Sequence, residues 1–377
     1  MRHRGLLEIK GNPMNNLFAG TPYSEHAESW RNALAAGDTP ISVQMIVKDE
    51  EGQLPRILAS LIPLQPAEVL VGDTGSSDQT QTIAKWFGCK VLNIEWQDHF
   101  AEARNMVCDE AEQPWCFWID ADEELMESSA KALRKKIIQK KLEGDHHLIR
   151  FTEPPLSMYQ MRLWKREPGE KPWRGRVHEK IWMDGPEPEV HHDIIVIQHN
   201  DERRPRKLER NMDLLKRAMK EEPDNHYNLF HAAVLSNMMN RHDDSQKYAE
   251  KYMHLAPRED IRTKLYIQYL LAWNATFVHR NYQQAVNLLT SAISVDPCAA
   301  EFWCLLGDVY WWIGRKADTF TFYENALYLG QAHPESFWLV DLRKYDEYPR
   351  EQLEKLKAQG IQRAKMPKVA FGPEVPG

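Results

Sequence analysis

From Ile41 onward the chain alternates between two hydrophobic patterns. Short apolar runs at residues 41–47, 68–72, 90–94 and 115–119 have the length of strands. Residues 54–62, 80–87 and the stretch from Trp96 to about Ala111 carry apolar side chains at helical spacing. Pro63 stops the first of these helices and Gly88 caps the second. This β-α-β-α-β rhythm predicts an α/β domain with a Rossmann-like, mostly parallel sheet and helices on both faces. A helix at 24–36 precedes it and another at 128–142 follows. The basic residues of the latter, Lys131, Arg134, Lys135, Lys136, Lys140 and Lys141, read as a solvated face. Residues 148–199 read as short strands and loops that would close over the crevice, with an isolated strand at 194–197 leading to His199.

Beyond Arg204 the pattern is helical. Pro223, Pro257 and Pro297 each end a helix, at spacings of 34 and 40 residues. Between them Tyr282, Ala285, Leu289 and Ala292, then Trp303, Leu306, Gly307, Tyr310, Tyr323 and Ala326, resemble the tetratricopeptide pattern of paired helices. About three repeats, from roughly 225 to 330, would stack into an all-α, tetratricopeptide-like domain. The expected division is an N-terminal extension (1–39), a catalytic domain (40–204), a helical domain (205–347) and a loose tail (348–377).

Composition narrows the setting. The chain of 377 residues is 42% hydrophobic and 27% charged, as globular proteins are, and its formal net charge of −7 offers no global attraction to nucleic acid or anionic membrane. Five cysteines without a Cys-x-x-Cys pair suggest free thiols in a reducing compartment. No run of 18 apolar residues and no leader-like apolar region is found, so no membrane span and a cytoplasmic location are expected.

Chemistry is concentrated where the strands end. The apolar run 115–119 stops at Asp120, Ala121 and Asp122. In an open α/β sheet, loops beyond the carboxyl ends of strands form the ligand crevice. Two carboxylates one residue apart there offer oxygen ligands to Mg²⁺ or Mn²⁺, which can hold a diphosphate.

Five segments extend this reading: Met45 to Glu51, Asp73 to Asp78, Phe100 to Asn105, Ile119 to Asp122 and Gly175 to Glu179. Their order and spacing resemble the successive motifs of family 2 glycosyltransferases with a GT-A fold. Within that family, the chain is similar to members with C-terminal tetratricopeptide helices, such as the glycocin-type peptide S-glycosyltransferases. The resemblance covers roughly residues 40 to 330 and implies a metal-dependent, inverting transfer of a sugar from a nucleoside diphosphate sugar, with a UDP-sugar the expected donor.

It also implies roles. Asp73 would accept hydrogen bonds from the nucleotide base, the alternative being a turn cap ahead of Gly75. Val47 and the residues after it, Lys48, Asp49 and foremost Glu50, would line the base and ribose pocket, with Ala121 beside the donor. Arg104 would serve the nucleotide or a neighbouring carboxylate, or act as a structural ion-pair partner. Asp122 would ligate the metal, with Asp120 on the ribose or on the metal through water. His199 would complete the metal shell, although Asn200-Asp201-Glu202 departs from the family's Asn-Gly-Tyr continuation. Glu179 would be the general base, with His178 the second choice for base or metal ligand and an ion pair with Arg174 or Arg176 the alternative.

The acceptor stays open between a peptide side chain, a hydroxymethylated DNA base and a lipid-linked or polysaccharide glycan. Arg203, Arg204, Arg206, Lys207 and Arg210 form one basic cluster that a DNA acceptor would use, and Lys131 to Lys141 form another. Two rival readings are a non-catalytic tetratricopeptide scaffold with a degenerate transferase domain and a sugar nucleotidyltransferase, which shares the Asp-x-Asp chemistry.

Overall fold

A strand of nine residues, β1 (Thr39–Val47), lies at the heart of the N-terminal sheet and is buried almost throughout, as a near-continuous apolar run must be when both faces are covered. A computed structural model of the chain describes residues 27–183, 185–199, 204–330 and 340–363. In chain order the elements around this strand are α1 (Ala27–Ala35), α2 (Leu54–Ser60) with a short 3₁₀ turn behind it, β2 (Pro66–Asp73), α3 (Thr80–Trp86), β3 (Lys90–Asn93), α4 (Phe100–Asp109) and β4 (Trp115–Trp118). Then follow β5 (Glu123–Leu125), α5 (Glu127–Ile138), β6 (His146–Glu153), β7 (Leu156–Lys165), β8 (Trp173–Arg174), β9 (Lys180–Ile181) and β10 (Glu189–Gln198). The expected helix at 24–36 is thus described from Ala27 on, and the turn signals before it lie outside the described residues.

The sheet runs in the order β3-β2-β1-β4-β7-β6-β10-β5. Its first four strands are parallel, β7 then pairs antiparallel with β4, and β10 pairs antiparallel with β5. Two expectations are corrected here. Residues 148–199 do not form short covering strands, because β7 and β10 are ten residues long and extend the main sheet. The strand at 194–197 is not isolated either, since Val196, Ile197 and Gln198 pair with Leu125, Glu124 and Glu123.

The chain divides into two compact units, one formed by residues up to Phe151 with Gln160–Glu202, the other by Thr152–Tyr159 with residues from Arg203 onward. The second unit contains α6 (Arg204–Glu221), α7 (His226–Met238), α8 (His242–Leu255), α9 (Ile261–Phe277), α10 (Tyr282–Val295), α11 (Ala300–Trp312), α12 (Thr319–Leu329), β11 (Val340–Asp341) and α13 (Glu347–Ala358). The prolines mark the ends of α6, α8 and α10, and α7–α12 form three helix pairs within the span the repeat pattern predicted. Ala285, Leu289, Ala292, Leu306, Tyr323 and Ala326 all point into the helical core.

The tail does not begin at 348. Helix α13 buries Leu353 and Leu356 in that core, and Tyr348 donates to Asp308 Oδ1 at 2.7 Å. Residues 364–377 lie outside the described residues. All five cysteines are free thiols.

Candidate active site

The carboxyl ends of β1, β2 and β4 converge, and the loops leaving β1 and β2 are laced to each other. Asp73, the last residue of β2, is buried. Its Oδ1 accepts from the Gly75 and Ser76 amides at 3.0 and 2.9 Å and from Gln81 Nε2 at 3.0 Å. Burial works against the charge of this carboxyl, yet these hydrogen bonds outweigh it and hold its pKa below the usual value. Asp73 therefore does cap its turn, with one oxygen only. Oδ2 is buried and has no hydrogen-bond partner, an arrangement that leaves an acceptor uncompensated.

Across from it, Asp49 sits at φ +54°, a conformation side chains other than glycine adopt at some cost. Its carboxylate accepts from the Ser77 amide at 2.7 Å, and its own amide donates to Ser76 Oγ at 2.9 Å. The Glu50 amide donates to Thr80 Oγ1 at 2.7 Å, and the Glu51 and Asp78 side chains each cap the other loop's backbone. Val47 is buried below, its carbonyl accepting both the amide and the hydroxyl of Thr74. The two loops thus form one braced rim.

The Asp-x-Asp segment occupies the turn from β4 into β5. Ala121 and Asp122 are buried, while the Asp120 side chain is 36% exposed. The turn is fixed from both sides. The Asp120 amide donates to Glu123 Oε2 at 2.9 Å, and the His199 amide at the end of β10 donates to the Asp122 carbonyl at 2.9 Å. Glu123 in turn is gripped by Arg162 of β7 through two hydrogen bonds of 2.6 and 2.7 Å, with the guanidinium 3.9 Å from the Trp118 ring centre. Burial pushes the Glu123 carboxyl up, and the Arg162 fork works against it.

A second buried arginine joins the two halves of the site. Arg104 projects from α4, whose N-terminus is capped by the His99 side chain accepting from the Glu102 amide. Its Nη2 donates to Asp120 Oδ1 at 2.8 Å and its Nε to Glu179 Oε1 at 2.5 Å. Trp118 and Trp173 flank the guanidinium, each ring centre at 4.8 Å. Burial disfavours its charge, but the Asp120 and Glu179 carboxylates outweigh that and push its pKa up. The helix can come this close because Gly72 of β2 has no side chain: a Cβ there would lie 2.5 Å from Val107 Cγ2 and 2.7 Å from Ile94 Cδ1.

Glu179 is delivered by the β8–β9 hairpin, in which Trp173 pairs with Ile181 and Arg174 with Lys180. The hairpin is pinned to α4. Asn105 exchanges two hydrogen bonds of 3.0 Å with the Trp173 backbone, and the Phe100 amide donates to the Arg176 carbonyl at 2.8 Å. Gly175 at φ +104° turns the loop, and His178 at φ +52° brings Glu179 inward. Burial raises the Glu179 carboxyl above the usual range, the Arg104 charge pulling the other way and Asp120 adding to the rise. Arg176 donates to the Asp98 carbonyl at 3.0 Å.

The structure thus brings Asp120, Arg104 and Glu179 into one hydrogen-bonded set, with Asp122 and Ala121 in the same turn. His199 Nε2 lies 2.8 Å from Glu124 Oε2, and Asn200 to Glu202 lie outside the described residues. Among the described residues one trio of His, Cys, Asp or Glu side chains brings ligand atoms within 4.8 Å of one another, and it is not Asp120, Asp122 and His199. The donor chemistry at the turn still fits Mg²⁺ or Mn²⁺, which are commonly held by one or two carboxylates together with substrate phosphates. Sequence reasoning missed Arg162, Glu123, Asn105 and Gln81. Arg162 had a signal, a lone charge between Met161 and Leu163 in an otherwise apolar strand end.

Comparison with known proteins agrees with this architecture. The family model for glycosyl transferase family 2 matches residues 42–179. The chain is 27% identical over 164 residues to the lipopolysaccharide core biosynthesis glycosyltransferase LpsC of Rhizobium meliloti, covering 39% of this chain and 58% of that protein. It is 42% identical over 106 residues to a TPR repeat-containing protein of Synechococcus elongatus, covering 28% of this chain and 26% of that protein. The chain therefore spans less than two thirds of either relative. Among solved structures S. aureus TarS 1–349 aligns at 13% identity and a TM-score of 0.33, covering 88% of this chain and 94% of that one. Residues 42–179 thus match the glycosyl transferase family 2 model, and a tetratricopeptide-like helical region follows them in the chain.

Proposed function

We propose that this chain transfers a sugar, with inversion at the anomeric carbon, from a nucleoside diphosphate sugar to a hydrogen-bonding acceptor. The observation that carries the reading is the Arg104 bridge. One buried guanidinium holds the Asp-x-Asp turn, on the donor side, at a fixed separation from Glu179, on the acceptor side. Such a separation is what an in-line displacement with one general base requires.

In this reading Asp73 Oδ2 accepts an N–H of the base, uracil in the expected UDP-sugar, and the braced loops at 49–51 and 76–80 hold the ribose. Asp122, with Asp120 directly or through water, holds Mn²⁺ or Mg²⁺, which when bound neutralises charge on the departing diphosphate. Glu179 accepts the proton of the attacking acceptor group. Arg104 keeps Glu179 anionic beforehand and stabilises Asp120 against the nearby phosphates. His178 positions Glu179 through its turn, and His199, paired with Glu124, is left out of the metal shell.

The acceptor is proposed to be a peptide or a glycan. LpsC, named for lipopolysaccharide core biosynthesis, supports a glycan. On the helical unit a depression of about 500 Å³ is lined by Gln268, Asn281, Gln283, Gln284 and Asn287, amides that serve peptide backbones and sugar hydroxyls equally. A net charge of −7 disfavours a DNA acceptor. No helix among the described residues is long and apolar enough to cross a membrane.

The test is phosphorus NMR of a panel of sugar nucleotides incubated with the protein and Mn²⁺ or Mg²⁺, with and without chelator. Nucleoside diphosphate as product, stopped by chelator, supports the transferase. A nucleotidyltransferase would instead leave the sugar nucleotides intact until pyrophosphate is added and then release nucleoside triphosphate and sugar 1-phosphate, and no consumption of any donor with or without pyrophosphate would favour a scaffold.

A further inference from the structure

At the opposite end of the sheet from Asp120, three side chains that the reaction does not use face one another. His147 lies on β6, and Glu189 and His191 lie two residues apart on the neighbouring strand β10, so that all three share one face. His191 precedes the active-site end of β10 by seven residues, about 23 Å of strand. His147 Nδ1 is 3.1 Å from His191 Nε2 and 3.2 Å from Glu189 Oε2, and His191 Nε2 is 3.7 Å from Glu189 Oε1.

The two distances from His147 Nδ1 match those between ligands of one zinc ion, while the 3.7 Å from His191 runs to the other Glu189 oxygen, the three ligand atoms lying within 4.8 Å of one another. Zinc with ligands at roughly 2.0–2.1 Å in tetrahedral geometry places its ligand atoms roughly 3.3 Å apart. Both histidine side chains are essentially fully buried and the glutamate is 31% exposed, so two walls are dry and one ligand can exchange with solvent. Without a cation the cluster is poorly satisfied. Lys136 Nζ, 3.2 Å from His191 Nδ1, can only donate, so the neutral His191 ring carries its proton on Nε2. If the His147 proton is on Nδ1, two N–H groups face each other at 3.1 Å. If it is on Nε2, Nδ1 accepts from the His191 Nε2–H, but its lone pair also faces the Glu189 carboxylate and the buried Nε2 has no partner.

We infer that His147, Glu189 and His191 form a divalent-metal site of the zinc type, with its fourth position open, that staples β6 to β10 at the end of the sheet away from the Asp-x-Asp turn. Lys136 is its competitor. On binding, the ammonium must leave His191 Nδ1, and Asp193 Oδ1, already 3.5 Å from Nζ, is the carboxylate that receives it. The ring then carries its proton on Nδ1 and offers Nε2 to the metal.

The test uses the full chain, stripped with chelator and titrated with Co²⁺ and then Zn²⁺, in wild type and in Glu189→Gln, Lys136→Met, His191→Gln and Asp122→Asn. Wild type and Asp122→Asn should develop the intense visible absorption of tetrahedral Co²⁺ at one equivalent, bleached by Zn²⁺, and Zn²⁺ should raise the melting temperature. Glu189→Gln, at a side chain 31% exposed and with its fold checked by circular dichroism, should weaken Co²⁺ binding at least tenfold, and Lys136→Met should tighten it roughly tenfold. His191→Gln should abolish it. Absence of the tetrahedral band in wild type would overturn the inference. So would a band lost in Asp122→Asn but unchanged in Glu189→Gln, since the cation would then sit at the strand exits.

Discussion

Replacing Arg162 by methionine should destabilise the N-terminal unit severely, and in a pH-dependent way. Arg162 is fully buried and donates two short hydrogen bonds to Glu123, itself 2% exposed. Methionine fills much of the volume and removes the charge, so the dominant loss is the carboxylate left unpaired in a dry site. Removing one partner of such a pair costs about 3–5 kcal/mol. For a domain of this size that is a fall in melting temperature of roughly 6–20 °C. Burial already pushes the Glu123 carboxyl up, so without Arg162 it takes up a proton more readily, and the penalty grows by at most about 1.4 kcal/mol per pH unit between the unfolded carboxylate pKa and its new, raised folded pKa, above which it levels off. Urea unfolding of wild type, Arg162→Met, Glu123→Gln and the double variant at pH 5 and pH 8 reads this directly. The single arginine variant should be worst at pH 8. The double variant should recover at least about 2 kcal/mol of the loss, because a neutral amide still accepts from the Asp120 amide. An Arg162→Met penalty below about 1 kcal/mol, or a double variant no better than the single, would refute the argument.

Further outcomes follow from the same structure. Glu179→Gln keeps an oxygen for Arg104 but cannot take a proton, so kcat should fall at least about 100-fold with little change in melting temperature. In wild type, the acidic limb of kcat/KM should lie above the usual carboxylate range, because burial raises Glu179. Asp73→Asn keeps the turn-capping oxygen and converts the buried Oδ2 position into a donor, so donor KM should rise about 10- to 100-fold, measured by initial rates. Gly72→Ala forces apart Val107 and Ile94 and should cost about 1–3 kcal/mol in urea unfolding while lowering kcat through displacement of Arg104. Buried Glu301 on α11 has its pKa raised to about 7 by burial, so its contribution is fully present below the unfolded carboxylate pKa and is lost as pH rises through about 7. Glu301→Gln should therefore leave stability at pH 4 unchanged and raise it at pH 8 by about 2–3 kcal/mol, read from urea midpoints at the two pH values.

How much of this was legible depends on whether a residue's partner is near in sequence. The parallel strands and the helix pairs announce themselves through apolar periodicity, and each Asp at a strand exit follows from where its strand ends. The length of β10 was hidden because His191, His192 and Asp193 interrupt its apolar run, although the strand pairing continues through them. Lys136 read as part of a solvated face. Its helix turns it toward β10 instead, where it meets His191 and Asp193. Helix α13 was masked by its charges and Pro349, although Pro349, Leu353 and Leu356 are all buried. Within the site, the carboxylates were legible one by one. That Arg104 ties Asp120 to Glu179 was not, because the contact joins residues 16 and 75 positions apart through the tertiary fold.

The central claim is tested most directly by donor turnover in three proteins side by side: wild type, Asp122→Asn and Glu179→Gln, each with the sugar nucleotide that wild type consumes. Release of nucleoside diphosphate by wild type alone, with both variants folded and Glu179→Gln still binding the donor, is the predicted result. Equal turnover by Glu179→Gln, or chelator-insensitive turnover by Asp122→Asn, would contradict the assignment of the strand-exit carboxylates to the reaction.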